Sequence, residues 1–174
     1  MKLFRNLFLL LVTSLFCISC ITTSSVRKRY MSQYVGDEGL QYFIKPFAFE
    51  ASNHSTLIAD FTFRHGELNL NDTVAINYTV RTNKKEGRIK KFCISLPNKD
   101  FEALSTTVLY KEKDSEYVTR YTSLFLYKQL RAAYKEQSFN LKTIADEGTV
   151  VYKPTKTSSK LIPALDESIF QLLD

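Results

Sequence analysis

The chain has 174 residues, with 24 Lys and Arg against 18 Asp and Glu for a formal charge of +6, and 44% of it is hydrophobic. That is enough apolar material for one globular core, and with only three Cys it excludes long disorder, a collagen-like repeat, a polytopic membrane protein and a disulfide scaffold. Two His, five Gly and no Trp leave little material for a metal cluster, a glycine-rich phosphate loop or an indole stacking platform.

The chain opens with Met1-Lys2-Leu3-Phe4-Arg5-Asn6 and an apolar run from Leu7 to Ile18, broken only by Thr13 and Ser14. About twelve apolar residues at ~1.5 Å rise cover ~18 Å of a ~30 Å hydrocarbon core, which suits a signal-peptide core and is short for a spanning helix. The run ends in Ile18-Ser19-Cys20, which resembles the lipobox of bacterial lipoproteins, where a small residue precedes a Cys that is acylated and becomes the new N-terminus. Cys17 stands where that motif usually has Leu, a departure tolerated by the looser lipoboxes of Bacteroidetes-type bacteria.

The resemblance implies a signal peptide over 1–19, palmitate-type acyl chains on Cys20, the membrane as partner through that anchor, and a place in the cell envelope, at the outer membrane on its periplasmic side. An ordinary secretory signal cut nearby and an uncleaved anchor are the alternatives. Cleavage takes Lys2, Arg5 and Cys17 away, and lipidation uses Cys20, so Cys93 alone remains and no internal disulfide can form. Within Phe92-Cys93-Ile94 it reads as a small buried hydrophobe.

Residues 20–39 are Ser/Thr-rich, then basic at Arg27-Lys28-Arg29, then turn-like at Gly36-Asp37-Glu38-Gly39, and read as a tether to a single domain over 40–174. Period-2 patterning follows. Leu40 to Glu50 reads as a strand that Pro46 bends or confines to an edge. Thr56 to Arg64 and Thr73 to Val80 alternate apolar with polar, and Arg88 to Leu96 is a fourth strand after a link over Asn83 to Gly87. Lys99 to Leu104 reads as one helical turn. Thr106 to Lys111 and Glu116 to Leu126 form a hairpin, and Tyr127 to Gln137 switches to helix formers, with Ser123 as a candidate cap.

A third hairpin joins Ser138 to Ala145 with Thr149 to Lys153. Pro154 to Lys160 reads as loop, and Leu165 to Leu173 as a short amphipathic helix. About seven strands and two short helices make the fold mainly β, an antiparallel β-sandwich of which the immunoglobulin-like type is one form. An α+β layer with helix 127–137 on one sheet face is the alternative.

Chemistry is sparse. His54 and His65 flank one predicted strand and lie ~35 Å apart if it is straight, too far to share a metal or a proton. The acidic pairs Asp37-Glu38, Asp146-Glu147 and Asp166-Glu167 fall in turns or at a helix start, where acids serve the local backbone. Asp60 is the candidate member of a carboxylate pair formed in space. No catalytic residue, metal site or cofactor is expected.

Two surfaces could bind. Lys84, Lys85, Arg88, Lys90 and Lys91 cluster at one link and suit anion contact, or alternatively protect a strand edge. Tyr117 and Tyr121 share a strand face and suit aromatic contact with a sugar or a protein, though half-buried packing explains them too. The expected function is therefore that of a tethered, non-catalytic envelope component with a protein partner, the alternative being a glycan-binding or glycan-acting protein. Nucleic acid is not an expected partner outside the cytoplasm.

Overall fold

The computed structural model describes residues 29–173 apart from 37–38, 66–71, 85–86 and 114. Ten strands run in chain order: β1 (Tyr30–Tyr34), β2 (Leu40–Glu50), β3 (Thr56–His65), β4 (Thr73–Thr82), β5 (Ile89–Ser95), β6 (Asp100–Glu102), β7 (Ser105–Lys113), β8 (Tyr117–Leu126), β9 (Asn140–Ala145) and β10 (Gly148–Pro154). Helix α1 (Tyr127–Lys135) separates β8 from β9. After β10 come α2 (Lys156–Leu165), a π-helical stretch (Asp166–Phe170) and the short α3 (Gln171–Leu173).

The strands hydrogen-bond as one antiparallel sheet in the order β6-β5-β9-β10-β2-β3-β4-β8-β7, with β1 on the first half of β2. The two ends of this path meet. The Ala103 N–H donates to the Phe92 carbonyl at 2.9 Å and the Leu104 N–H to the Leu124 carbonyl at 2.8 Å, so one run of chain leaves β5 and joins β8 within two residues. The sheet thus folds over itself like a sandwich.

Alternation decides the inside. Leu57, Ala59, Phe61 and Phe63 of β3, with Val74, Ile76, Tyr78 and Val80 of β4, are all buried, as the period-2 pattern requires. Across the interior, Phe92 of β5 stacks on Tyr78 at 3.9 Å between ring centroids, and Tyr134 of α1 meets Phe61 edge-on at 6.1 Å. Pro46 falls in a bulge where the β2–β3 register shifts between Ile44 and Phe47, so its missing N–H interrupts the ladder where the strand bends.

Four expectations change. The stretch read as a tether already enters the sheet at β1, where Tyr30 pairs with Ile44 and Tyr34 with Leu40. Lys99 to Leu104 holds strand β6 in place of a helical turn, because Phe101 pairs with Ile94 and Asp100 is bonded by Lys142 from two strands away. Ser123 does not cap α1. It lies buried in β8, its hydroxyl 2.8 Å from that of Thr106, while the Gln129 side chain accepts from the Leu126 N–H at 2.9 Å and closes the helix start.

The loop expected over Pro154 to Lys160 is instead the end of β10 at Pro154, the cap Thr155 and the first half of α2 from Lys156. Thr155 caps it by accepting from the Ser158 N–H at 3.3 Å. Ser158 itself accepts from the Ala48 N–H at 3.1 Å and donates to the Ala48 carbonyl at 2.8 Å, standing in for a ladder partner between β1 and β10 on the edge of β2.

Candidate functional site

Asn53 and His54 of the turn between β2 and β3, Asn83 and Lys84 after β4, and Glu147 of the β9–β10 turn gather at one place. They enclose a half-open hollow of about 670 Å³ whose floor is Ile89, Ala145 and Val150 and whose rim carries Asn53, His54, Lys84 and Glu147. A second hollow of about 500 Å³ shares Asn53, Thr149 and Val150 with it and continues towards Glu50 and Lys153. The first lies over the face where Ile89, Ala145 and Gly148 stand in one register row across β5, β9 and β10, and it is within the size range of ligand sites; the second lies beside β10 next to the β2–β3 turn.

The rim is locally ordered. His54 adopts a left-handed backbone, φ 63°, and its N–H donates to the Ala51 carbonyl at 3.1 Å, while the Ala51 N–H donates to the Ser55 carbonyl at 3.0 Å. Asn53 Oδ1 accepts from the Ser55 N–H at 3.1 Å, and the Tyr152 hydroxyl lies 3.4 Å from the Ser55 hydroxyl, tying this turn to β10. Opposite, the Glu147 carboxylate lies over Gly87 so closely that a Cβ there would displace it. Among the described residues neither Lys84 nor Glu147 makes an ion pair.

The expected anion cluster is divided. Lys90 pairs with Asp146 of the β9–β10 turn, and Lys91 with Glu102 of β6 at 2.9 Å, so both charges are met by carboxylates. Lys84 lines the cleft and Arg88 is exposed, whereas Lys85 lies outside the described residues. The Lys90 position is the extra residue where the β5–β9 register shifts between Ile89 and Lys91, which is why consecutive lysines both reach water.

The tyrosine pair does share a face, but that face is the inner one. Tyr121 is buried and stacks on Tyr78 at 5.1 Å, so it offers no contact surface. Tyr117 sits at the end of the same row, half-buried, with Lys113 Nζ 5.3 Å from its ring centre.

Asp60 has basic and amide partners, and none of its partners among the described residues is a second carboxylate. Arg120 donates to it at 2.9 Å and Asn77 at 2.9 Å, and Arg120 also donates to Thr79 at 3.1 Å, forming a polar row on the outer face of β3, β4 and β8. Asp166 is buried at the helical side, bonded by Arg131 at 2.6 Å and by Gln171 at 3.3 Å. Asp37 and Glu38 lie outside the described residues, as does Cys20. His54 and His65 stand at opposite ends of β3.

Cys93 is buried, though on the outer side of β5. Its neighbours in register are Glu102 of β6 and Lys142 of β9, with Lys91 two residues before it. Burial pushes its thiol up, while the Lys142 charge pulls the other way. Glu102 in turn bonds the Lys91 ammonium and holds it protonated above the usual lysine range.

Among the described residues there is no group of three or more His, Cys, Asp or Glu placed to hold a metal ion, and no helix long and apolar enough to cross a membrane. The cleft was not legible in the sequence because its rim comes from residues 53, 84 and 147, which are far apart along the chain. No family model, no curated protein and no solved structure matches this chain.

Proposed function

We propose that the chain is a membrane-tethered cell-envelope lipoprotein whose folded domain works by binding, as a non-catalytic component of an assembly. The observation that carries this reading is Ile18-Ser19-Cys20 closing the apolar run from Leu7, with Cys20 as the acceptor of the lipid. Two or more acyl chains on one residue would make anchoring stable where a single chain is marginal.

The cleft supports the binding part. It is built on three turns fixed by strands, it has an aliphatic floor, and it presents Lys84 and Glu147 without ion-pair partners among the described residues. Mass spectrometry of the protein from its native host tests the anchor. A mature N-terminus at Cys20 carrying acyl chains is expected, with Cys20→Ala released from the membrane fraction. An unmodified Cys20, or release of the unaltered chain from cells with working lipoprotein machinery, overturns it.

A further inference from the structure

We infer that the hollow over the inner face of β5, β9 and β10 takes a short peptide with free ends, two or three small aliphatic residues long. The inference rests on the binding reading above and names the ligand class of that same site.

The space has a local cause. Ile89, Ala145 and Gly148 form one inward row across the three strands, and the next row is Phe92, Thr143 and Val150. In that second row Phe92 is fully buried and stacks on Tyr78, so the core is filled there. In the first row two of the three positions hold only Ala and Gly, and a Cβ at Gly148 would meet nothing within 4 Å. The interior is thus left unfilled over this row, and Thr82, Asn83 and Lys84 at the end of β4, with Asn53 and His54, supply the remaining walls.

Thr143 is the group that points to a ligand. It is only 3% exposed, it lines the hollow, and among the described residues its hydroxyl has no hydrogen-bond partner. A buried hydroxyl without a partner is costly, and a ligand amide satisfies it either as donor or as acceptor.

The other walls narrow the class. Ile89, Ala145 and Val150 are the aliphatic members among twelve lining residues, enough for a methyl or isopropyl group and too little for a fatty chain. No Phe, Tyr or Trp lines the hollow, so neither a sugar ring nor a nucleobase finds a flat face to stack on. Lys84 and Glu147 bring one charge of each sign from different turns, neither in an ion pair among the described residues. They complement a zwitterion whose carboxylate faces Lys84 and whose ammonium faces Glu147. A hollow of about 670 Å³ is ~11 Å across if round, and two or three extended residues at ~3.3 Å each span ~7–10 Å.

The test uses the full chain, isotopically labelled and held in detergent, with its amide spectrum followed during titration. The probe is the tripeptide Ala-Val-Ala with free ends, and the parallel arms are its end-capped forms and N-acetylglucosamine. The free peptide is expected to shift the amides of Thr143, Ala145 and Gly148 to Val150 together with Asn83 and Lys84. The doubly capped peptide should bind about tenfold more weakly or worse, two charge-assisted contacts being lost. Lys84→Gln, an exposed change, should weaken the free peptide about fivefold and leave its C-terminally amidated form unaffected, while Glu147→Gln should spare the N-terminally acetylated form in the same way.

If the doubly capped peptide binds as tightly as the free one, the rim charges play no part and the inference is overturned. If the sugar shifts those amides and the peptides do not, the inference is overturned while a binding function stands. If no probe shifts them at millimolar concentration, the inference falls and the hollow loses its role as the binding site. The acylation of Cys20 is read separately and is decided by none of these arms.

Discussion

The two regions that flank the inner face of β3 and β4 close it in opposite ways. On the helical side, Phe170 of the π-helical stretch lies 4.5 Å from Tyr134 and 5.4 Å from Phe63, and Arg131 stands 5.8 Å from its ring while gripping Asp166. At the cleft, three turns stop short of one another and leave the edge of β10 open. Ring packing with a buried ion pair commits one region to stability, whereas the other presents Lys84 and Glu147 without ion pairs among the described residues. A substitution should therefore cost much more stability on the helical side than at the cleft.

The sharpest way to break that contrast is Phe170→Ala. Phe170 is fully buried among rings, and truncating such a residue costs about 3–5 kcal/mol. Urea unfolding followed by circular dichroism should show a midpoint loss of that size. A change below about 1 kcal/mol would mean that the C-terminal helices are only loosely seated.

Arg131→Ala comes next. It strands Asp166 in a site where the two side chains are only 13% and 4% exposed, so about 3 kcal/mol is expected, part of it retained by the bond from Gln171. Replacing both members by Met and Leu should recover most of the loss, because the cost lies in the unpaired buried charge.

Ser158→Ala removes both bonds to the backbone of Ala48. A loss of about 1–2 kcal/mol in the same assay is expected, with α2 exchanging its amides faster. By contrast, Lys84→Glu at the cleft should leave the unfolding midpoint unchanged, since Lys84 is exposed and joins no ion pair among the described residues.

Alkaline pH separates the regions by another route. Burial holds the hydroxyls of Tyr78 and Tyr134 well above the ordinary tyrosine value of 10.0. Their folded pKa exceeds the unfolded one, so the stabilisation is complete below pH ~10 and is lost as pH rises beyond it. Ultraviolet titration should show these two tyrosines ionising only with unfolding.

The smallest expected effect is at Lys91→Ala. The Lys91–Glu102 pair is exposed, so stability should not change measurably, while Cys93 loses one of the lysine charges that pull its thiol down and should react more slowly with a thiol reagent. A faster labelling rate would mean that the Lys91 side chain shields the thiol from the reagent.

The alternation of small and large apolar residues with polar ones in β2, β3, β4, β5 and the β7–β8 and β9–β10 hairpins was visible in the chain, because each such strand must sort one row inward. The helix from Tyr127 was visible for the same reason at a different period. β1 and β6 were not. Tyr30–Tyr34 and Asp100–Glu102 are short and mostly solvent-facing, and become strands only because β2 and β5 present edges to them. α2 was hidden by Pro154 and the polar run after it, although Thr155 and Ser158 carry the local signal of its cap.

The sequence by itself determined that the chain is a mainly β body with one apolar core, that Pro46 would interrupt a strand, and that Tyr117 and Tyr121 would point the same way. Periodicity is a local property and survives without knowledge of the partners. Only the tertiary structure decided that the shared face of the two tyrosines turns inward, that Lys90 and Lys91 are answered by Asp146 and Glu102, and that residues 53, 84 and 147 meet around one cleft. Those outcomes depend on which strands become neighbours, and that choice is made by the whole core at once.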